Sequence, residues 1–191
     1  MTKASDLRNG MCIRFNGELY KTLLAEMKVG TAKLSSSVHV RLRNLQTGTQ
    51  TEQRLHPEAK VEDVVVETIN LTYSYKDGDT LYFMHPQTFE QVAIPRQMVG
   101  AYEKFLTDGS QLKVEFYGEQ PIDAIIPQTV DVVVASTGPA LHGDNDSAPK
   151  PATLENGMEV HVPQFVKTAD RIRIDTVTGR YVERLHQAVR G

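Results

Sequence analysis

The chain has 191 residues, 40% of them apolar and 24% charged, a balance that excludes both a disordered coat and a membrane-spanning protein. Its longest apolar runs, such as Leu81 to Met84, are four residues against the roughly 18 a membrane span requires, and the start leads into no apolar stretch, so no secretory signal is expected. Cys12 is the single cysteine, which excludes an internal disulfide and a cysteine-rich metal cluster; the expected compartment is the cytoplasm.

The net charge of −3 is unevenly spread. Residues 1–65 carry ten Lys/Arg against seven Asp/Glu, residues 66–128 four against nine, and residues 129–191 seven against eight. A basic end joined to an acidic middle argues against an evenly basic nucleic-acid coat and places any RNA contacts toward the ends of the molecule.

In chain order, Asn16-Gly17 marks the first hairpin turn. Residues Met27 to Ser37 lie between two strand-like runs and read as a hairpin tip that holds Lys33 among small residues; an ordinary solvated lysine fits the same pattern. Val38, Val40 and Leu42 then alternate with His39, Arg41 and Arg43, predicting a strand with one apolar and one basic face. That basic face suits phosphate contacts, and a plain solvated face fits equally. After Thr47-Gly48, a loop with His56-Pro57-Glu58 and the charged stretch Lys60 to Asp63 leads to a boundary near residue 65.

The second segment opens on the β-branched block Val64 to Val66 and carries turn signals at Asp77-Gly78, Asp108-Gly109 and Tyr117-Gly118. Its one helix is expected over Arg96 to Leu106, with Pro95 in the first turn and Met98, Tyr102 and Phe105 sharing a face. Ile126-Pro127-Gln128 marks a second boundary before the strand of Val130, Val132 and Val134. The stretch Gly138 to Pro151 reads as a long loop inside the last segment, and its glycines would let backbone approach a ligand. Asn156-Gly157 and Thr178-Gly179 bracket further strands, one of them with Ile172 and Ile174 facing away from Arg171 and Arg173. Period-two patterning with regular turns predicts an all-β fold of three small barrels, residues 1–65, 66–128 and 129–191.

Catalytic chemistry is not evident. The six histidines show no metal-ligand spacing. No nucleophile elbow, phosphate-binding loop or dinucleotide fingerprint appears. The expectation is a binding protein without a cofactor rather than an enzyme.

Several stretches resemble one family. Lys150-Pro-Ala-Thr-Leu-Glu-Asn-Gly157 through Val166, continued by Arg171-Ile-Arg-Ile-Asp175-Thr176-Val-Thr-Gly179-Arg-Tyr181-Val-Glu-Arg184, looks like the signature of bacterial elongation factor P. Asn70 to Gly78, Phe83-Met84, Thr88-Phe89-Glu90-Gln91 and Arg41 to Thr49 are similar to the same family. The resemblance implies an SH3-like (KOW-like) N-terminal barrel and two OB-like barrels arranged in an L shape. It also implies a monomeric translation factor that binds the 70S ribosome between the peptidyl and exit sites and relieves stalling at consecutive prolines. Implied partners are peptidyl-tRNA, ribosomal RNA and exit-site mRNA, with no membrane.

In that family a basic residue at the first-domain tip, often modified after translation, reaches toward the peptidyl-transferase centre. The resemblance puts Lys33 there, and with it a Lys33-modifying enzyme. Ala32 and Leu34 depart from the common Pro-Gly-Lys-Gly pattern, which leaves a factor-P-like paralogue, or an OB-type RNA-binding protein without a role at that centre, as alternatives. Gly143 and Asp144 match the family's Gly-Asp-Thr loop, with Asn145 in place of the threonine, and Ala169 stands where the family usually has glycine. Arg41, Arg43, Lys150, Arg171, Arg173 and Arg184 are the phosphate-contact candidates.

Overall fold

The computed structural model describes residues 1–31, 35–139 and 148–185. They form three antiparallel sheets that curl as half-barrels. The first comprises β1 (Thr2–Lys3), β2 (Cys12–Phe15), β3 (Glu18–Lys28), β4 (Ser37–Asn44), β5 (Gln50–Leu55) and β6 (Lys60–Val64). Its spatial order is β1-β6-β2-β3-β4-β5. The second holds β7 (Glu67–Asp77), β8 (Thr80–Met84), β9 (Gln91–Pro95), β10 (Gln111–Tyr117) and β11 (Gln120–Ile125), in the order β11-β10-β7-β8-β9. The third holds β12 (Thr129–Thr137), β13 (Lys150–Leu154), β14 (Glu159–Val162), β15 (Arg171–Asp175) and β16 (Tyr181–Arg184), in the order β14-β13-β12-β15-β16. No helix among the described residues is long and apolar enough to cross a membrane.

Backbone proximity groups the chain into two compact units, Met1–Ile69 with Val114–Asp123, and Asn70–Lys113 with Ala124–Gly191. In the first unit, the strand alternation translates directly into a core. Val38, Val40 and Leu42 are buried with Ile13, Leu7 and Val61, while Arg41 on the opposite face stays exposed. Asn16 and Gly17 both take positive φ (51° and 87°) between β2 and β3, the backbone a two-residue hairpin turn requires. In the second unit, Leu81 and Phe83 of β8 are fully buried, and so are Ile172 and Ile174 of β15. The third sheet curls far enough to bring its edge strands β14 and β16 together.

Two sequence expectations are corrected here. The charged stretch Lys60 to Asp63 is not loop but most of β6, paired with both β1 and β2. Strand pairing uses only backbone groups, so a strand of mostly charged residues forms once Val61 supplies an inward anchor at 5% exposure. The helix expected over Arg96 to Leu106 is a single α-turn, Arg96–Val99, followed by a 3-10 segment, Gly100–Phe105. Gly100 sits at φ 60°, ψ −139°, a region that reorients the chain and that side-chain-bearing residues avoid. The buried residues are then Val99, Tyr102 and Phe105, whose three-residue spacing fits the three residues per turn of a 3-10 helix. Pro95 closes β9 in an extended conformation (ψ 134°) instead of opening the helix.

Ala169 adopts φ 70°, with its N–H donating to the Val134 carbonyl at 2.9 Å. A left-handed backbone costs an L-residue roughly 1–2 kcal/mol, whereas glycine there adds only the larger entropy of its unfolded chain. The Ala169→Gly variant is therefore expected to be more stable by about 0.5–1 kcal/mol in urea unfolding, with unchanged secondary structure.

Candidate nucleic-acid interface

The hairpin of β3 and β4 is the longest paired element of the first unit, running from Tyr20↔Asn44 to Lys28↔Ser37. Beyond that last pair, the Gly30 N–H donates to Ser36 Oγ at 3.1 Å. Lys33 lies in the connection by sequence and falls outside the described residues, as do Gly143 and Asp144.

The outer face of this hairpin carries His39, Arg41 and Arg43, and each is committed differently. Arg41 forms an exposed ion pair with Glu52 on β5 at 2.8 Å. His39 Nε2 accepts a hydrogen bond from Arg54 Nε at 3.0 Å. Partial burial, followed by the nearby Lys28 and Arg54 cations, holds the His39 imidazole below its ordinary pKa. Lys28 and Arg54 thus add positive charge on the tip side of the hairpin. Sequence reading missed both. Arg54 lies on β5, where the residues Gln50 to Arg54 are all polar and no clean alternation marks a face.

Arg43 is tied to a buried carboxylate. Its Nη2 donates to both carboxylate oxygens of Asp123 at 2.8 and 2.9 Å, and Asp123 is only 5% exposed. Lys21 completes the cluster, hydrogen-bonded to the buried Glu115 and 3.5 Å from Asp123. Cys12 Sγ lies 4.0 Å from Glu115 Oε2, and burial pushes the thiol pKa up to about 11. Sequence spacing could not reveal this group, because Arg43 and Asp123 are 80 positions apart.

The third sheet divides its cations in the same way. Arg173 donates to Asp131 at 2.9 Å and to Glu183 at 2.6 Å, and hydrogen bonding to Asp131 holds its pKa above the ordinary value. Arg184 donates to the Phe165 carbonyl at 3.3 Å, sits 5.0 Å from the centroid of the Phe165 ring and lies 3.6 Å from Asp170. Lys150 does not lie on an outward face: it is 7% exposed, and its Nζ donates to the carbonyls of Gly138 and Pro139 at 2.7 and 3.1 Å. Across the same loop base, Gln164 Nε2 donates to the Ala148 carbonyl at 2.7 Å. Arg171 is exposed and forms no ion pair among the described residues. Of the six arginine and lysine candidates, Arg171, with no ion pair among the described residues, and Arg41, whose single ionic partner Glu52 is exposed, are the least committed to contacts within the chain.

Comparison with known proteins gives one family throughout. Family models described as the elongation factor P KOW-like domain, OB domain and C-terminal domain match residues 3–61, 66–124 and 130–184. Elongation factor P of Acidobacterium capsulatum is 36% identical over 182 residues, covering 95% of this chain and 97% of that protein. Elongation factor P of Kosmotoga olearia is 35% identical over 185 residues, covering 96% of this chain and all of that protein. Among solved structures, translation initiation factor 5A from Methanococcus jannaschii shares the fold over 65% of this chain and 92% of its own, with a TM-score of 0.51 and 14% identity.

The ionic cluster separates holding residues from contact residues by stability. Arg43→Ala leaves the buried Asp123 with only Lys21, 3.5 Å away, and is expected to lower stability by about 2–3 kcal/mol in urea unfolding. Arg171→Ala removes only an exposed charge and should stay within about 0.5 kcal/mol of the parent. Equal effects from the two variants would remove the distinction.

Proposed function

The chain belongs to the elongation factor P family of translation factors, and on that premise we propose that it binds the ribosome beside the peptidyl-tRNA and stimulates peptide-bond formation where consecutive prolines stall it. The observation that carries this reading is the ordered match of all three family models along one chain, joined to a β3–β4 hairpin whose connection contains Lys33.

The chemistry that stalls is a problem of pose. Proline fixes φ near −65° and presents a secondary amine, so proline-bearing peptidyl and acceptor groups align poorly for attack. Holding the tRNA end in a reactive pose lowers the barrier through orientation and requires no new catalytic group. In this reading the ribosome remains the catalyst and the factor is not itself an enzyme. Lys33 is the residue that reaches the tRNA terminus, and a modification by a dedicated enzyme would extend that reach. Arg41 and Arg171, with Lys28 and Arg54, meet RNA phosphates. Gly143 and Asp144 face the exit-site codon. The chain works as a cytoplasmic monomer.

The test is dipeptide and tripeptide synthesis on purified 70S ribosomes with a diproline template. Lys33→Ala should lose most of the stimulation and keep its ribosome affinity within about twofold, since binding is spread over many phosphate contacts. Lys28→Ala should weaken binding slightly and retain full stimulation at saturation. Arg171→Ala should flatten the salt dependence of binding by roughly one unit of slope. If Lys28→Ala abolishes stimulation and Lys33→Ala does not, the acting residue is misassigned. A chain that leaves diproline synthesis unchanged overturns the function.

A further inference from the structure

The outer face of the second sheet carries apolar side chains that its own core does not use. Along β8, Leu81 and Phe83 are fully buried, and the alternate residues Tyr82 and Met84 face away from them. Tyr82 stacks on Tyr75 across the β7–β8 pairing, with centroids 4.8 Å apart and planes inclined by 18°. Tyr75 nevertheless remains 45% exposed and Met84 39%. On the other side, β9 adds Ala93 opposite Tyr82 and Gln91 opposite Met84, so the face continues without a charge.

At the end of β8 the turn over residues 85–90 presents Phe89, 71% exposed and held at φ 58°. Its backbone is fixed by its N–H to the His85 carbonyl (3.0 Å) and by the His85 N–H to the Glu90 carbonyl (2.9 Å). His85 Nδ1 also accepts from the N–H groups of Gln87 and Thr88 at 3.2 Å each. A bulky side chain in left-handed backbone is a genuine outlier, and asparagine would occupy this position with less strain. The ring is not buried in return. A strained position that keeps a large apolar group in solvent points to a contact made from outside the chain.

The charges around the face select the class of partner. Asp77 and Asp79 flank the turn at one end, and Glu90 lies at the other; the Asp79 side chain is 95% exposed. The neighbouring cations Lys76 and Arg96 are both hydrogen-bonded to Glu103, and Arg96 also lies 3.8 Å from Asp79, which leaves Asp77 and Glu90 as the carboxylates of this face without an ion pair among the described residues. A phosphodiester brought here meets like charge, whereas an apolar surface rimmed by lysine and arginine meets opposite charge. We propose that Tyr75, Tyr82, Met84 and Phe89 form a docking surface for a basic protein, with the Phe89 ring as its anchor. On the ribosome, on whose binding this inference rests, the occupant is a ribosomal protein and not RNA.

The experiment places a photoreactive p-benzoylphenylalanine at position 82 or 89 of the full chain, bound to purified 70S ribosomes carrying peptidyl-tRNA, with a third probe at position 171 as reference. Crosslinks from 82 and 89 to a lysine- and arginine-rich segment of one ribosomal protein are expected. Crosslinks from these positions to RNA overturn the proposal, as does their absence when position 171 reacts. If no position reacts and the chain does not sediment with ribosomes, the ribosome-bound reading itself fails and this inference fails with it. Phe89→Asn should weaken ribosome affinity about tenfold, as loss of an interface anchor does, with a melting temperature no lower than the parent's. A lower melting temperature with unchanged affinity would make the ring a structural residue and overturn its role as anchor.

Discussion

Two carboxylates buried in the first packing unit, Glu115 and Asp123, constrain much of what the molecule can do with its charges. A buried anion is tolerated only when it is paired and hydrogen-bonded. Here Lys21 on β3 and Arg43 on β4 meet that requirement from two neighbouring strands. The same two strands form the hairpin whose far connection contains Lys33. Pairing the roots of both strands to fixed carboxylates limits how the hairpin can twist, so the connection leaves the sheet from a defined place. A factor that acts by orienting a substrate needs that fixity more than it needs reactive groups, because displacement of the probe by an ångström forfeits the advantage of holding the pose.

The cluster also shows why counting cations overstates an RNA-binding surface. Arg43 and Arg173 both look outward by strand parity, yet each has its charge already matched, to Asp123 and to Asp131 with Glu183. Turning either toward a phosphate exchanges one ionic partner for another, and for Arg43 the abandoned partner is buried. Arg41 gives up only its exposed partner Glu52, and Arg171 has no ion pair among the described residues to give up. The useful positive charge is therefore smaller than the composition suggests and is concentrated near the hairpin and on β15, while residues 66–128 carry four Lys/Arg against nine Asp/Glu.

Much of this architecture was legible in the sequence, because strand parity is a local property. Val38, Val40 and Leu42, or Ile172 and Ile174, need only their neighbours to declare a buried face, and the Asn-Gly and Asp-Gly signals needed only two residues to mark a turn. What stayed hidden depends on contacts distant in sequence or on backbone geometry. Lys60 to Asp63 read as loop because its charges conceal a strand that β1 and β2 recruit through backbone groups. The apolar spacing over Arg96 to Leu106 suggests a continuous helix, which Gly100 interrupts by diverting the chain after one turn. By sequence Lys150 has the pattern of a surface cation, since nothing local reports that the Gly138 and Pro139 carbonyls enclose it. The ionic pairing of Arg43 with Asp123 lies beyond any local pattern.

Backbone strain illustrates how such readings should be weighed. Asn16, Ala169 and Phe89 all occupy left-handed backbone, but the same conformation carries different meaning at each. Asn16 sits in a hairpin turn that demands it, and asparagine is among the residues that tolerate it best. Ala169 bears only a methyl group, and its N–H is used by the sheet, so its strain is a minor departure that glycine would relieve. Phe89 combines the largest side chain of the three with the least return from its own fold, since the ring is mostly in solvent. Strain alone marks nothing. Strain that keeps an aromatic ring exposed, in the turn that follows a strand whose outer face carries a stacked tyrosine pair, is the combination that a folding argument does not account for and a docking surface does.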